Sequence, residues 1–267
     1  LCDEETEVEL WGECYNIEET TYISMIGDDL SSEIPPQIGD LVNLETLDLG
    51  HNNLFGNIPS EIGNLTNLRW LMISNNELTG ELPSEIGNLN NLRELILTGN
   101  QLIGDIPIEI GNLDSLTQIN LNSNQLSGEI PSEVGNLMNL ERLLLVGNQL
   151  SGEIPHSVGN LTNLESLFLS HNQLSGEIPS EISLLNNLEL LWLDNNQFSS
   201  ISDNICNLDE NLLNGSFEVD DGVYYNFSCG NNFICENIPY CLETSIGFNS
   251  GIDIELESFE YQPQDCS

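Results

Sequence analysis

From Ile34 onward the chain repeats itself every 24 residues. The unit reads I-P-S-E-I-G-N-L-x-N-L-x-x-L-x-L-x-x-N-x-L-x-G-E. It starts at Ile34, Ile58, Leu82, Ile106, Ile130, Ile154 and Ile178. No insertion or deletion breaks the register until the seventh unit, which is one residue short before Ile201. A step of 24 residues back from Ile34 lands on Leu10, where a degenerate unit keeps Ile23, Met25, Asp28 and Leu30 in the key places. A repeat this strict leaves little choice of architecture. One unit cannot bury its own apolar face, so the units must stack and share a core, each touching only its neighbours. Three parts follow: an N-terminal cap with the degenerate first repeat (1–33), seven repeats (34–201) and a Cys-rich C-terminal cap (202–267).

Each position of the unit has a physical task. The L-x-L stretch, Leu47 and Leu49 in the first full unit, alternates as a short strand does, with leucines inward and the residue between them outward. Stacked units pair these strands into a parallel sheet at about 4.8 Å per unit. The asparagine column (Asn52, Asn76, Asn100, Asn124, Asn148, Asn172, Asn196) stands where the chain turns away from the strand. Its amides can replace the backbone bonds that the ladder no longer supplies. The glycine column (Gly56, Gly80, Gly104, Gly128, Gly152, Gly176) suits positive φ or close approach. The proline after each Ile fixes φ on the outer side.

This unit resembles the plant-type leucine-rich repeat, with its L-x-G-x-I-P signature, over about residues 10–201. The resemblance implies an α/β repeat solenoid, curved, with a parallel β-sheet on its concave face and disulfide-stapled caps. It also implies a binding role toward proteins, peptides or glycans rather than catalysis. The flanking segments, L-W-G-E-C-Y-N-I-E-E-T-T at 10–21 and the C-terminal I-P-Y-C-L-E, resemble repeat modules of large secreted proteins of marine bacteria.

Three outward columns of the strands do not repeat. The first reads Tyr22, Thr46, Trp70, Glu94, Gln118, Arg142, Ser166, Leu190. The second reads Ser24, Asp48, Met72, Ile96, Asn120, Leu144, Phe168, Trp192. The third reads Ile26, Gly50, Ser74, Thr98, Asn122, Val146, Ser170, Asp194. Variation is thus confined to the strand face that no core constraint fixes. Trp70, Met72, Ile96, Leu144, Phe168, Leu190 and Trp192 are expected there as exposed apolar residues, which in contiguous patches mark interaction sites. The chain has only three cations, Arg69, Arg93 and Arg142, against 44 acidic residues. All three map to this face or its border. They are either ligand contacts or neutralising partners of glutamates such as Glu94, Glu141 and Glu165. Together these ten residues form the candidate ligand-binding set.

A net charge of −41 excludes nucleic-acid binding, whose affinity comes from Lys and Arg on phosphates. It also disfavours anionic membrane surfaces, and no run of 18 apolar residues provides a membrane span. Two acid columns run along the stack: Glu33, Glu81, Asp105, Glu129, Glu153, Glu177, and Glu61, Glu85, Glu109, Glu133, Glu181. They read as a solvated face, open to loose divalent-cation association but not to a discrete metal site. No cofactor is expected. His51 and His171 share a column about 24 Å apart, and His156 lies elsewhere, so no nucleophile–base constellation is available and no enzyme is expected.

Seven cysteines cluster at the two ends, which points to stapled caps and an oxidising compartment. Their spacings contain no C-x-x-C pair of the zinc type. Cys2–Cys14 is the natural N-terminal bridge. By analogy with the marine modules, Cys229 is the odd one out, and Cys206, Cys235, Cys241 and Cys266 form two bridges, Cys206–Cys235 with Cys241–Cys266 preferred. With a Leu start and no signal peptide, the chain reads as a mature or excised fragment of a secreted or cell-surface protein. Two functions remain in play. One is a recognition scaffold for a protein or glycan on the concave sheet. The other is a self-assembling subunit or segment of a surface layer, adhesin or filament.

Overall fold

The computed structural model of the protein describes residues 2, 3 and 5–201. Its centre is an eight-stranded parallel sheet whose strands follow one another in chain order. They are Tyr22–Ser24, Thr46–Asp48, Trp70–Met72, Glu94–Ile96, Gln118–Asn120, Arg142–Leu144, Ser166–Phe168 and Leu190–Trp192. Each residue pairs with the one 24 positions on, as Trp70 with Glu94 and Leu143 with Leu167. The middle residue of each strand is buried, as the alternation requires. The degenerate unit contributes the first strand and puts Ile23 into the core.

The return path of each coil is a five-residue 3₁₀ turn rather than an α-helix, from Pro36–Asp40 through Ser60–Asn64 to Ser180–Leu184. The proline that precedes or opens each turn is fixed near the φ its ring prefers; Pro59 and Pro131 stand at −68° and −64°. Between sheet and turns runs one continuous core. Leu and Ile at the repeated positions are almost wholly excluded from solvent. A 24-residue coil has room for only one short turn on its outer side, and the 3₁₀ form is the tighter choice.

The turns also explain a second glycine column. A Cβ built on Gly63 would lie 2.6 Å from the Cβ of Glu85 in the next coil, and Gly39, Gly87, Gly111, Gly135 and Gly159 meet the same obstacle. These glycines have no positive φ; they are there because the next coil leaves no room. At the seventh turn the position is Ser183, whose hydroxyl donates to the Ser180 carbonyl. The other glycine column does adopt positive φ, 70–78°, as the sequence suggested.

The asparagine column is buried and bonds as predicted. Asn124 Nδ2 donates to the carbonyls of Leu97 (3.0 Å) and Leu121 (3.1 Å), while its Oδ1 accepts from the Leu102 N–H (3.1 Å). A second amide ladder escaped the sequence reading. Asn43, Asn67, Asn91, Asn139, Asn163 and Asn187 each donate to a carbonyl of the preceding coil. Ser115 stands in the one gap.

The N-terminal end is closed by a hairpin, Glu7–Leu10 with Glu13–Asn16. Val8 and Leu10 plug the open end of the core. The expected Cys2–Cys14 disulfide is present, with 5.5 Å between Cα atoms. At the other end the short seventh unit produces a register shift between Gly176 and Glu177. Cys206, Cys229, Cys235, Cys241, Cys266 and the C-terminal cap lie outside the described residues.

Candidate functional site: the open face of the sheet

The three non-repeating columns form one continuous surface across the eight strands, because the flanking residues of each strand point away from the core. Its large apolar side chains are not fully exposed as expected. Trp70, Met72, Ile96, Leu144, Phe168, Leu190 and Trp192 are all half-buried. The reason is the spacing: strands about 4.8 Å apart bring side chains of one column into van der Waals contact. Phe168 and Trp192 show it most clearly. Their rings stack with centroids 3.9 Å apart and planes within 3°. Two residues of these columns that the reading did not single out are more open: Tyr22 is 64% exposed and Ile26 53%. Tyr22 opens the first strand and Ile26 lies just past its end, where no earlier strand of the sheet shields them, and that end position was the available signal.

The apolar residues fall into two patches. Trp70, Met72 and Ile96 make the first; Leu144, Phe168, Leu190 and Trp192 make the second. Between them lies the strand Gln118–Asn120 with Asn122 beyond it, whose outward residues Gln118, Asn120 and Asn122 are all polar. Asn122 is engaged within the sheet, its Oδ1 accepting from the Val146 N–H at 2.7 Å. Beside the second patch the Ser170 hydroxyl donates to Asp194.

Two of the three arginines have glutamate partners. Arg69 lies 3.7 Å from Glu45 and Arg142 lies 3.8 Å from Glu165, with Gln118 Oε1 at 3.4 Å from the Arg142 guanidinium. All of these side chains are substantially exposed, so the pairs hold little energy. Arg93 is exposed and has no ion pair among the described residues. Neutralisation thus accounts for two arginines and leaves the third.

The histidines do not converge. His51 and His171 occupy the left-handed region, φ 58° and 56°. Each lies beside the asparagine one coil on, Asn75 at 3.5 Å and Asn195 at 3.3 Å. His156 starts a 3₁₀ turn away from the sheet and bonds Glu181 at 2.8 Å. That carboxylate raises the His156 pKa above its ordinary value, and the imidazole in turn lowers that of Glu181. Among the described residues the one grouping of three potential metal ligands is Cys2, Glu7 and Cys14. Its sulfurs are joined to each other and are not thiolates. The acid columns lie off the sheet face. Glu81 and Glu129 pack over Gly104 and Gly152, and Glu61, Glu85, Glu133 and Glu181 each accept from the preceding serine hydroxyl.

Comparison with known proteins agrees with this geometry. A family model described as "Leucine-rich repeat region" matches residues 19–122, one for two-copy leucine-rich repeats matches 162–207, and the single-repeat model matches 115–137 and 139–161. No curated protein matches the sequence significantly. Among solved structures, the plant peptide hormone receptor RGFR1 in complex with RGF2 is 42% identical with a TM-score of 0.68, over 69% of this chain and 30% of that one. The Arabidopsis receptor kinase HAESA, in complex with the peptide hormone IDA and the co-receptor SERK1, is 39% identical with a TM-score of 0.64, over 67% and 31%. A plant ice-binding protein is 28% identical with a TM-score of 0.56, over 85% and 83%. The chain therefore spans about a third of the length of the receptors it matches. With its 24-residue units, its asparagine ladder and its sheet in strict chain order, the chain belongs to the leucine-rich repeat proteins and carries repeats of the plant type.

Proposed function

We propose that the chain is an extracellular recognition scaffold that binds a protein or peptide ligand on the concave face of its sheet. The observation that carries this reading is where the sequence varies. Core, turns and both asparagine ladders repeat with few exceptions, whereas the outward strand columns change from coil to coil and collect Trp, Phe, Met and Arg. A purely structural array has no need of such a face. The similar receptor structures are complexes with peptide hormones, which favours a peptide or protein ligand over a glycan. The Cys2–Cys14 bridge suits an extracellular setting. Ice binding, the property of another similar protein, asks for a regular outward array, and these columns are irregular.

The test is a screen of secreted and cell-surface proteins against the full chain. It is followed by affinity measurement for the partner found. Truncating Trp70 or Phe168 to Ala is expected to cost about 2 kcal/mol of binding at a hot spot. Glu129→Gln, on the acid column away from the sheet, is expected to leave binding unchanged. Full affinity in a Trp70/Phe168/Trp192 triple alanine variant that keeps its fold ends the proposal.

A further inference from the structure

The large sheet has an open edge at its first strand. Tyr22–Ser24 pairs with Thr46–Asp48 on one side only, because the hairpin of Glu7–Leu10 and Glu13–Asn16 forms a separate two-stranded sheet. Thr21, Met25 and Gly27 turn their backbone groups toward the next coil. The Thr21 carbonyl accepts from the Thr46 N–H at 3.2 Å, and the Met25 and Gly27 N–H groups donate to the Asp48 and Gly50 carbonyls at 2.8 and 3.0 Å. Tyr22, Ser24 and Ile26 alternate with them and face outward. Their N–H and C=O groups meet no hydrogen-bonding partner among the described residues. In later coils the same atoms are used: the Trp70 N–H donates to the Glu45 carbonyl at 3.1 Å, and the Met72 and Ser74 carbonyls each accept at 2.8 Å. A strand laid on this edge can therefore form the bonds that one coil makes to the next.

An open edge is a template for pairing, and proteins commonly blunt it with Lys, Pro or a bulge. This edge carries none of these. Residues 20–26 read Thr-Thr-Tyr-Ile-Ser-Met-Ile, with no charge, Pro or Gly and a composition that favours strands. Charge stands at the two ends of the run instead. Glu18 and Glu19 precede it, Asp28 and Asp29 follow it, and all four are exposed without an ion pair among the described residues. Glu13 on the hairpin and the half-buried Asp48 one strand in carry the same sign. The first fifty residues contain no Lys, Arg or His, so two copies meeting at this edge bring like charges together.

We infer that this edge is a binding site at which a basic partner protein adds a β-strand to the sheet. The strand it fits is an uncharged run matching residues 20–26, with Lys or Arg at both ends. Main-chain bonds at Tyr22, Ser24 and Ile26 hold it. The exposed side chains of Tyr22 and Ile26 pack on its alternate residues, and its terminal cations stand beside the two acidic pairs. The site lies at the end of the stack and is independent of the concave-face reading.

The probe is a fluorescein-labelled peptide with two lysines on each side of Thr-Val-Thr-Val-Thr-Val-Thr, followed by anisotropy against the full chain. It is expected to bind, and to bind less tightly as salt rises. A twin N-methylated throughout the run keeps the charge but lacks the donors, and is expected to bind at least about tenfold more weakly. A twin with Glu for Lys is expected not to bind. Ser24→Pro, which removes an outward N–H, and Glu19→Lys/Asp28→Lys, at exposed positions, are each expected to weaken the probe at least about tenfold, whereas Trp70→Ala/Phe168→Ala leaves it unchanged. Circular dichroism checks the fold, and the lysine variant carries the test if the proline variant does not fold. No binding, or equal binding of the N-methylated twin, overturns strand addition. Equal binding of the Glu twin overturns the basic partner. A loss in Trp70→Ala/Phe168→Ala with none in Glu19→Lys/Asp28→Lys moves the peptide to the sheet face and overturns the edge. Sedimentation of the chain alone is expected to show a monomer; a dimer abolished by Ser24→Pro gives the edge to a second copy and overturns the basic partner.

Discussion

Replacing Asn124 by Ala removes four hydrogen bonds, but the structure says that only one loss matters. The Asn122 carbonyl keeps the Gly99 N–H and the Thr98 hydroxyl. The Leu97 carbonyl also accepts from Asn100 Nδ2 at 3.1 Å, and the Leu121 carbonyl also accepts from Asn148 Nδ2 at 3.0 Å. Each carbonyl is shared between the amide of its own coil and that of the next, so neither is orphaned. The Leu102 N–H has Asn124 Oδ1 as its acceptor at 3.1 Å, and this buried donor is left with nothing. One unsatisfied buried group costs about 1–3 kcal/mol, and the small void left by the amide adds to it. Asn124→Ala is therefore expected to lose about 2 kcal/mol. Asn124→Asp keeps the shape and the acceptor, yet puts a buried carboxylate against three carbonyl oxygens. It is expected to be worse than Ala at neutral pH and to recover as the pH falls and the carboxyl protonates. Urea denaturation followed by circular dichroism measures both variants against the parent chain. A loss below a few tenths of a kcal/mol for Ala, or an Asp variant as stable as the parent at neutral pH, would refute the shared-ladder argument.

Other outcomes follow from the packing and the charges. Gly63→Ala puts a methyl 2.6 Å from the Glu85 Cβ and is expected to destabilise by about 1–3 kcal/mol, whereas Ser183→Ala, in the same column, is expected to change stability by less than that; thermal melts compare the two. The His156 imidazole, followed by NMR, is expected to titrate above 6.5 and to return toward that value in Glu181→Gln. Because the folded His pKa is raised, the pair's contribution is complete below the unfolded His value and fades as pH rises through the folded one. Because the Glu181 pKa is lowered, the contribution also fades at the acid end as pH falls through its folded value; a His156 titration unchanged by Glu181→Gln would show that the contact is absent in solution. The melting temperature is expected to rise from low salt to seawater-like ionic strength as repulsion within a charge of −41 is screened. A rise produced in full by micromolar calcium would instead make the acid columns binding sites.

Most of the fold could be read from the sequence because its constraints act within one unit or between identical positions of adjacent units. Leu47 and Leu49 alternate because a strand does. Asn124 recurs because a turn leaves backbone groups to satisfy. Gly128 recurs because φ is positive. Gly63 was harder: its backbone is ordinary, and the reason for it is the Glu85 side of the next coil, a through-space demand with no signature inside the unit. The same holds for the amide ladder through Asn67 and Asn91. The three outward columns do share one face of the sheet. Its exposure was overestimated because neighbouring rings, Phe168 on Trp192, cover each other once the strands stack. The charge pairs of Arg69 and Arg142 depended on rotamers that column arithmetic does not supply.

The glycine column of the 3₁₀ turns bears on how such an array can grow. Gene duplication of one 24-residue unit would insert a coil anywhere between the first and the seventh turn without a clash, since every such turn presents a glycine to its successor. At the seventh turn Ser183 replaces the glycine, its hydroxyl donating to the Ser180 carbonyl. The units joined by these glycines are therefore interchangeable at this contact, and the length of the array can change by copying from its middle.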